Sequence, residues 1–152
     1  MSGSDPLAAA LRLLALRDRS AAELARRLQR QGFAAEQVEA TLARCRELGY
    51  LDDERFARAR AGALTRQGRA VGRRLLLELR RSGLDAATAA RAAAEAERAC
   101  PATEALAELS RRRFPGFAWS AADDRERRRV VDYFQRRGFP LSLVLSFFQE
   151  ER

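Results

Sequence analysis

The sequence predicts an all-α protein of three tandem three-helix units, about nine helices, stacked into an elongated, curved array. Three observations carry this expectation. The 152 residues are dominated by Ala, Leu, Arg and Glu, which are strong helix formers, while Val and Thr are scarce and Ile is absent. A Gly-apolar pair occurs three times, as Gly32-Phe33, Gly83-Leu84 and Gly138-Phe139, at separations of 51 and 55 residues, a period expected of stacked helical units. Each pair is preceded by two apolar residues at i, i+4 spacing: Leu24 and Leu28, Leu75 and Leu79, Val130 and Phe134. That spacing puts each couple on one helix face.

The elements follow in order. Asp5 caps a first helix that has Pro6 at its first position and runs to about Arg17. Ser20 and Glu23 make a capping box for the second. Arg30-Gln31 before Gly32 suits a helix C-terminus, where cations meet the negative end of the dipole and Gly supplies a left-handed cap. The third helix spans about Ala35 to Leu48 and stops at Gly49. The second unit has helices at about Asp53–Gln67, Ala70–Ser82 and Asp85–Cys100. The third has them at about Ala102–Phe114, Asp123–Arg137 and Leu141–Glu150, after an irregular stretch from Phe114 to Trp119. Val38, Ala89 and Val144 fall at matching positions after the three pairs. The unit boundaries are 1–52, 53–100 and 101–152. A hydrophobic fraction of 47% is enough to build cores.

Charge is unevenly spread. The formal net charge is +8, there is no Lys, and all 29 basic residues are Arg. Residues 1–54 carry 8 Arg against 9 acids; residues 55–100 carry 11 against 4, a net +7; residues 101–152 carry 10 against 8. Such a balance implies an anionic partner. The helix around 70–82 concentrates the excess. Val71, Leu75, Leu76 and Leu79 form its apolar face. Arg73 and Arg80 stack on one edge with Arg69 just before them, and Arg74 and Arg81 form a second strip. Leu77 lies between the strips, away from the apolar face, and is kept with the arginines as a candidate contact. The expected binding surface is therefore Arg69, Arg73, Arg74, Leu77, Arg80 and Arg81.

Catalytic chemistry is poorly provided for. The chain has no His, so the commonest general base and neutral metal ligand are missing. Ser and Cys lack an evident activator. Gly68-Arg-Ala-Val-Gly72 lacks the Lys-Ser/Thr step of a nucleotide loop. Asp52-Asp53-Glu54 suits a helix start better than a weak cation site. Cys45 and Cys100 fit no metal spacing and read as small, reduced, buried helix residues. No catalytic residue, cofactor or metal is expected. Asp5-Pro6 interrupts the N-terminus before any apolar run, and no apolar stretch spans a bilayer, so a cytoplasmic monomer is expected.

A family resemblance adds to this reading. Ala10–Arg17, Ser20–Leu28, Leu48-Gly-Tyr-Leu-Asp-Asp-Glu-Arg-Phe-Ala57 and Gly68–Leu75, followed by Leu79 and Gly83-Leu84, carry it. The third unit joins through Tyr133-Phe134 and Arg137-Gly138-Phe139. On these residues the chain resembles RecX, the regulators of the RecA recombinase. The resemblance implies nine helices in three units. It also implies binding to the RecA filament on single-stranded DNA and restraint of strand exchange, ATP hydrolysis and coprotease action. Many such proteins bind DNA themselves. This chain departs from the common pattern in using Arg alone where Lys is frequent. The main rival is a nonspecific single-stranded nucleic-acid binder. Ser20–Leu42 looks like a helix-turn-helix, but its unit is net negative. A helical-repeat adaptor for peptides is a third reading, and it would not need the central charge.

Overall fold

The computed structural model describes residues 5–150. Among them the chain forms nine α-helices and no strand. Helix α1 (Pro6–Leu16) starts where the Asp5 carboxylate accepts from the Leu7 N–H at 3.1 Å. Helix α2 (Ala21–Arg30) carries the Ser20–Glu23 capping box, and α3 (Ala35–Glu47) follows. Helix α4 (Asp53–Arg66) is capped by Asp52, which accepts from the Arg55 N–H at 3.1 Å. Helix α5 (Gly72–Arg81) leads to α6 (Ala86–Ala99), where Asp85 accepts from the Thr88 N–H at 2.7 Å. Helix α7 (Ala102–Arg113) is followed by a 3-10 turn (Trp119–Ala121) that begins at the last residue of the stretch expected to be irregular. Helix α8 (Asp124–Arg136) opens on a capping box of Asp123 and Glu126, and α9 (Leu141–Glu150) ends the described chain.

The three Gly-apolar pairs are one corner used three times. Gly32, Gly83 and Gly138 have φ of 96°, 87° and 99°, a region that favours glycine. In each case the next N–H reaches back to the buried residue five positions earlier. These bonds run from Phe33 to Leu28 at 3.3 Å, from Leu84 to Leu79 at 3.4 Å, and from Phe139 to Phe134 at 3.2 Å. This is the Schellman ending, which satisfies carbonyls that the helix leaves free. All six expected face residues, Leu24, Leu28, Leu75, Leu79, Val130 and Phe134, are buried, as are Val38, Ala89 and Val144.

Buried side chains fall into three clusters. The first joins Ala10, Leu13, Leu24, Leu28, Val38, Leu42 and Cys45 from α1, α2 and α3. The second joins Phe56, Ala57, Leu64, Leu75, Leu79, Leu84 and several alanines of α6. The third is aromatic: Phe134, Phe139 and Phe148 sit with Leu106, Leu109, Val130 and Val144, flanked by Phe114, Phe117, Trp119, Tyr133 and Phe147. Their rings meet mostly edge-on, the geometry that ring quadrupoles favour. The solvent-accessible area is 9446 Å² for 17.0 kDa. A compact monomer of that mass exposes about 7,700 Å². Three small cores in series leave more surface open than one core would.

The clusters are joined by a repeated contact. The Ser20 hydroxyl, at the start of α2, donates to the Ser82 carbonyl at the end of α5. The Val71 N–H, at the start of α5, donates to the Arg137 carbonyl at the end of α8, 2.9 Å away. A Cβ on Gly83 would lie 2.2 Å from the Ala22 Cβ, and one on Gly138 would lie 2.0 Å from the Val71 carbonyl oxygen. Asp53 adds to the first joint by accepting from the Ala21 N–H at 2.8 Å. The Asp52-Asp53 pair thus divides its work: Asp52 caps its own helix and Asp53 caps α2.

Val71 corrects the sequence reading. The expected helix began at Ala70 and put Val71 on its apolar face; α5 begins at Gly72 instead, and Val71 is its N-cap. Its N–H is held by Arg137, and its side chain lies in the third cluster. The long-range bond overrides the local continuation of the helix. Among the described residues, no helix is long and apolar enough to cross a membrane.

Candidate functional site

Helix α5 buries Leu75 and Leu79 and turns its arginines outward. With ~100° between successive residues, the side chains run round the helix in a fixed order. Leu76 lies beside the buried face, followed by Arg73 and Arg80, then Leu77, then Arg81 and Arg74, and finally Glu78. Leu76 and Leu77 are 37% and 43% exposed, so the apolar face is narrower than the sequence suggested. Leu76 belongs to its open edge.

The two arginine strips differ in their surroundings. Glu78 holds Arg74 at 2.9 Å and Arg81 at 3.3 Å. Arg74 is also partly tied to the second joint, its Cβ lying 2.9 Å from where a Cβ on Gly138 would stand. Arg73 and Arg80 are exposed and have no ion-pair partner among the described residues. Exposed, unpaired guanidiniums keep their donors for an incoming anion. Arg69 is exposed on the loop before α5, where its N–H bonds to the Leu64 carbonyl at 2.9 Å.

Sequence reasoning missed a neighbour of Arg69. A Cβ on Gly68 would lie 2.8 Å from Leu109 Cδ2, which places α7 against the end of α4. Arg112 then donates to the Gln67 carbonyl at 3.1 Å. The run Arg111-Arg112-Arg113 is plain in the sequence, but its meeting with α4 depends on packing across the joint. Arg111 and Arg112 both pair with Glu108, and the Arg111 hydrogen bond holds the Glu108 carboxyl below the usual range. Arg113 is exposed. The central charge also needs adjustment. The +7 was counted over residues 55–100; over the expected second unit, 53–100, which also holds Asp53 and Glu54, the balance is 11 Arg against 6 acids, a net +5. Glu54 is tied to Arg91 and Thr88 of α6.

Beside Leu76 a groove opens between the second and third clusters. Its volume is about 960 Å³. The walls come from α5, α6 and the start of α9. Arg73 stands on one wall and Glu97 on another, and Cys100 lines the groove. Cys100 is partly exposed rather than fully buried, whereas Cys45 is fully buried. Burial, with a smaller contribution from Glu104, raises the Cys100 thiol pKa. Among the described residues, no group of His, Cys, Asp or Glu is arranged to hold a metal.

Comparison with known proteins gives a consistent picture. Residues 7–45 match the family described as "RecX, first three-helix domain". The chain is 46% identical over 149 residues to the "Regulatory protein RecX" of Syntrophotalea carbinolica, covering 98% of this chain and 97% of that one. It is 38% identical over 147 residues to that of Trichlorobacter lovleyi, covering 97% and 96%. The fold is similar to the crystal structure of RecX from Lactobacillus salivarius, with a TM-score of 0.69 at 16% identity over 95% of this chain and 93% of that one. A second crystal structure, of a regulatory protein RecX, gives a TM-score of 0.73 at 19% identity, covering 97% and 73%.

Proposed function

Since the chain belongs to the RecX family of regulatory proteins, we propose that it binds the RecA recombinase filament on single-stranded DNA and restrains it. It does so in the cytoplasm, as a monomer and without a cofactor, holding back strand exchange, ATP hydrolysis and coprotease action in recombination and the SOS response. Protein binding, rather than catalysis, is its activity. The observation that carries this reading is the outer face of α5, where Arg73 and Arg80 stand exposed and unpaired beside Leu77. Arg69, Arg74 and Arg81 complete the proposed surface.

The Arg73→Glu/Arg80→Glu variant tests it. Both side chains lie off the buried Leu75/Leu79 face, so stability should change by about 0.5 kcal/mol per site, as for ordinary surface substitutions. Inhibition of RecA ATP hydrolysis on single-stranded DNA should fall at least tenfold. The control reverses Arg44 and Arg46, exposed on α3, and should cost little. A folded double variant that inhibits like wild type, or a control that loses as much, refutes the surface. The exposed Arg113, Arg125, Arg128 and Arg129 favour direct DNA contact as a second reading. In that case affinity falls with salt at a slope of about 0.7 per phosphate contact. Tight salt-dependent binding to single strands without any inhibition of RecA would promote it.

A further inference from the structure

The groove between the second and third clusters has the composition of a docking site. Its floor is apolar: Leu75, Leu76, Phe139, Leu141 and the alanines of α6. Leu76 and Leu141 are 37% and 44% exposed and give the groove an apolar lip. Ala90 and Ala94, one helical turn apart, present only methyl groups to the groove and leave room for another helix to come close. Small residues alone would signify little. Thr65 supplies a separate observation. It lines the groove, is 2% exposed, and its hydroxyl has no hydrogen-bond partner. Buried threonines usually return their hydroxyl to the carbonyl four residues back, as Thr41 does to Gln37 at 2.7 Å. An orphaned buried hydroxyl is a cost to the free protein, and because this oxygen is sealed from solvent, it gains a partner only if the groove wall shifts when the groove is filled.

We propose that this groove receives an amphipathic helix of the protein partner, apolar on the side facing the floor and acidic on the edge facing α5. The charge order sets the orientation. Arg73 on the α5 wall is unpaired, and Arg80 extends its strip along the helix. Glu97 stands on the α6 wall, so the acidic edge must face away from it. A helix-in-groove contact of this kind reads anchors at i, i+3, i+4 and i+7. The proposal rests on the function given above and names the contact that engages the protein part of the filament, as distinct from its DNA.

Cys100 provides the measurement. It lines the groove and is partly exposed, while Cys45 is fully buried and stays silent. RecA filament should slow maleimide labelling of Cys100 at least tenfold. Ala94→Trp, which fills the groove from an exposed position, should weaken filament binding at least tenfold and leave binding to bare single-stranded DNA unchanged. Thr65→Val should raise the melting temperature of the free protein yet weaken the complex several-fold, a combination that a purely structural threonine would not produce. A 16-residue amphipathic peptide with Leu anchors and a Glu edge should also protect Cys100, whereas its Lys counterpart should not. If the peptide protects and RecA does not bind, the recombinase reading fails and the groove stands. If RecA binds, Cys100 labels at its free rate and Ala94→Trp is indifferent, the groove fails and the recombinase reading stands. Self-association that Ala94→Trp abolishes would assign the groove to a second copy and overturn the proposal.

Discussion

Gly138 shows how one residue can serve two purposes. Its φ of 99° alone accounts for glycine, and so does the φ of Gly32 and Gly83. Only Gly83 and Gly138 also lie against another unit; around Gly32 there is nothing within 4 Å. Replacement by Ala should separate the two causes. Gly32→Ala bears the left-handed strain alone, about 1–2 kcal/mol. Gly138→Ala must also move the Val71 carbonyl, which is backbone and is fixed by the joint, so its loss should exceed 3 kcal/mol, about what the more severe core substitutions cost. Gly83→Ala should lose about as much as Gly138→Ala, because the Ala22 Cβ is fixed to its backbone and has no rotamer by which to move aside. Urea denaturation of the three variants checks the order, and equal losses would mean that the close approaches carry no weight. The sequence pattern showed that the three glycines were equivalent corners. It did not show which corners were covered, since that depends on residues about 60 positions away.

At the scale of elements, α5 has the most to teach. Its arginine strips were legible from helical spacing, and so was the exposure of Leu77. The difference between the strips was not, because spacing gives direction and leaves open which guanidiniums one glutamate will hold. Val71 was misplaced for a related reason: an apolar residue next to an apolar face looks like part of it, and only the bond to Arg137 takes it elsewhere. Glu78 offers a test. Glu78→Gln removes the charge that holds Arg74 and Arg81 and frees both for phosphate. Stability should fall by no more than about 1 kcal/mol, as for an exposed ion pair. Affinity for single-stranded DNA should rise about threefold, with a salt slope steeper by about 0.7 for each added contact. Fluorescence anisotropy at several salt concentrations measures both. Unchanged affinity would remove the Arg74/Arg81 strip from the DNA-facing surface.

For the molecule as a whole, the three cores are unequal. The first two are built mainly from Leu and Ala, and the third from stacked and edge-on rings. Aromatic side chains bury more area each, so the third core should resist unfolding longest. Trp119 is the only tryptophan and lies against Phe148 in that core. Its fluorescence therefore reports the third unit, while circular dichroism reports all the helices. In urea the dichroism should begin to fall before the tryptophan signal moves, as expected where neighbouring units are only partly coupled. Coincident curves would mean that the joints make the chain a single cooperative body. Repetition made the series of units readable from spacing, but the relative strength of their cores depends on packed area, which spacing does not report.

The joint also has a direction. Each junction is a sentence with a giver and a receiver: Ser20 gives to Ser82, and Val71 gives to Arg137. The next giver in the series would be Asp123, and it has nothing to offer. Its carboxylate only accepts, and its N–H is already committed to Glu126 at 3.2 Å. Asp123 thus keeps its hydrogen bonds within its own helix, and the relay from one unit to the next stops at the start of α8.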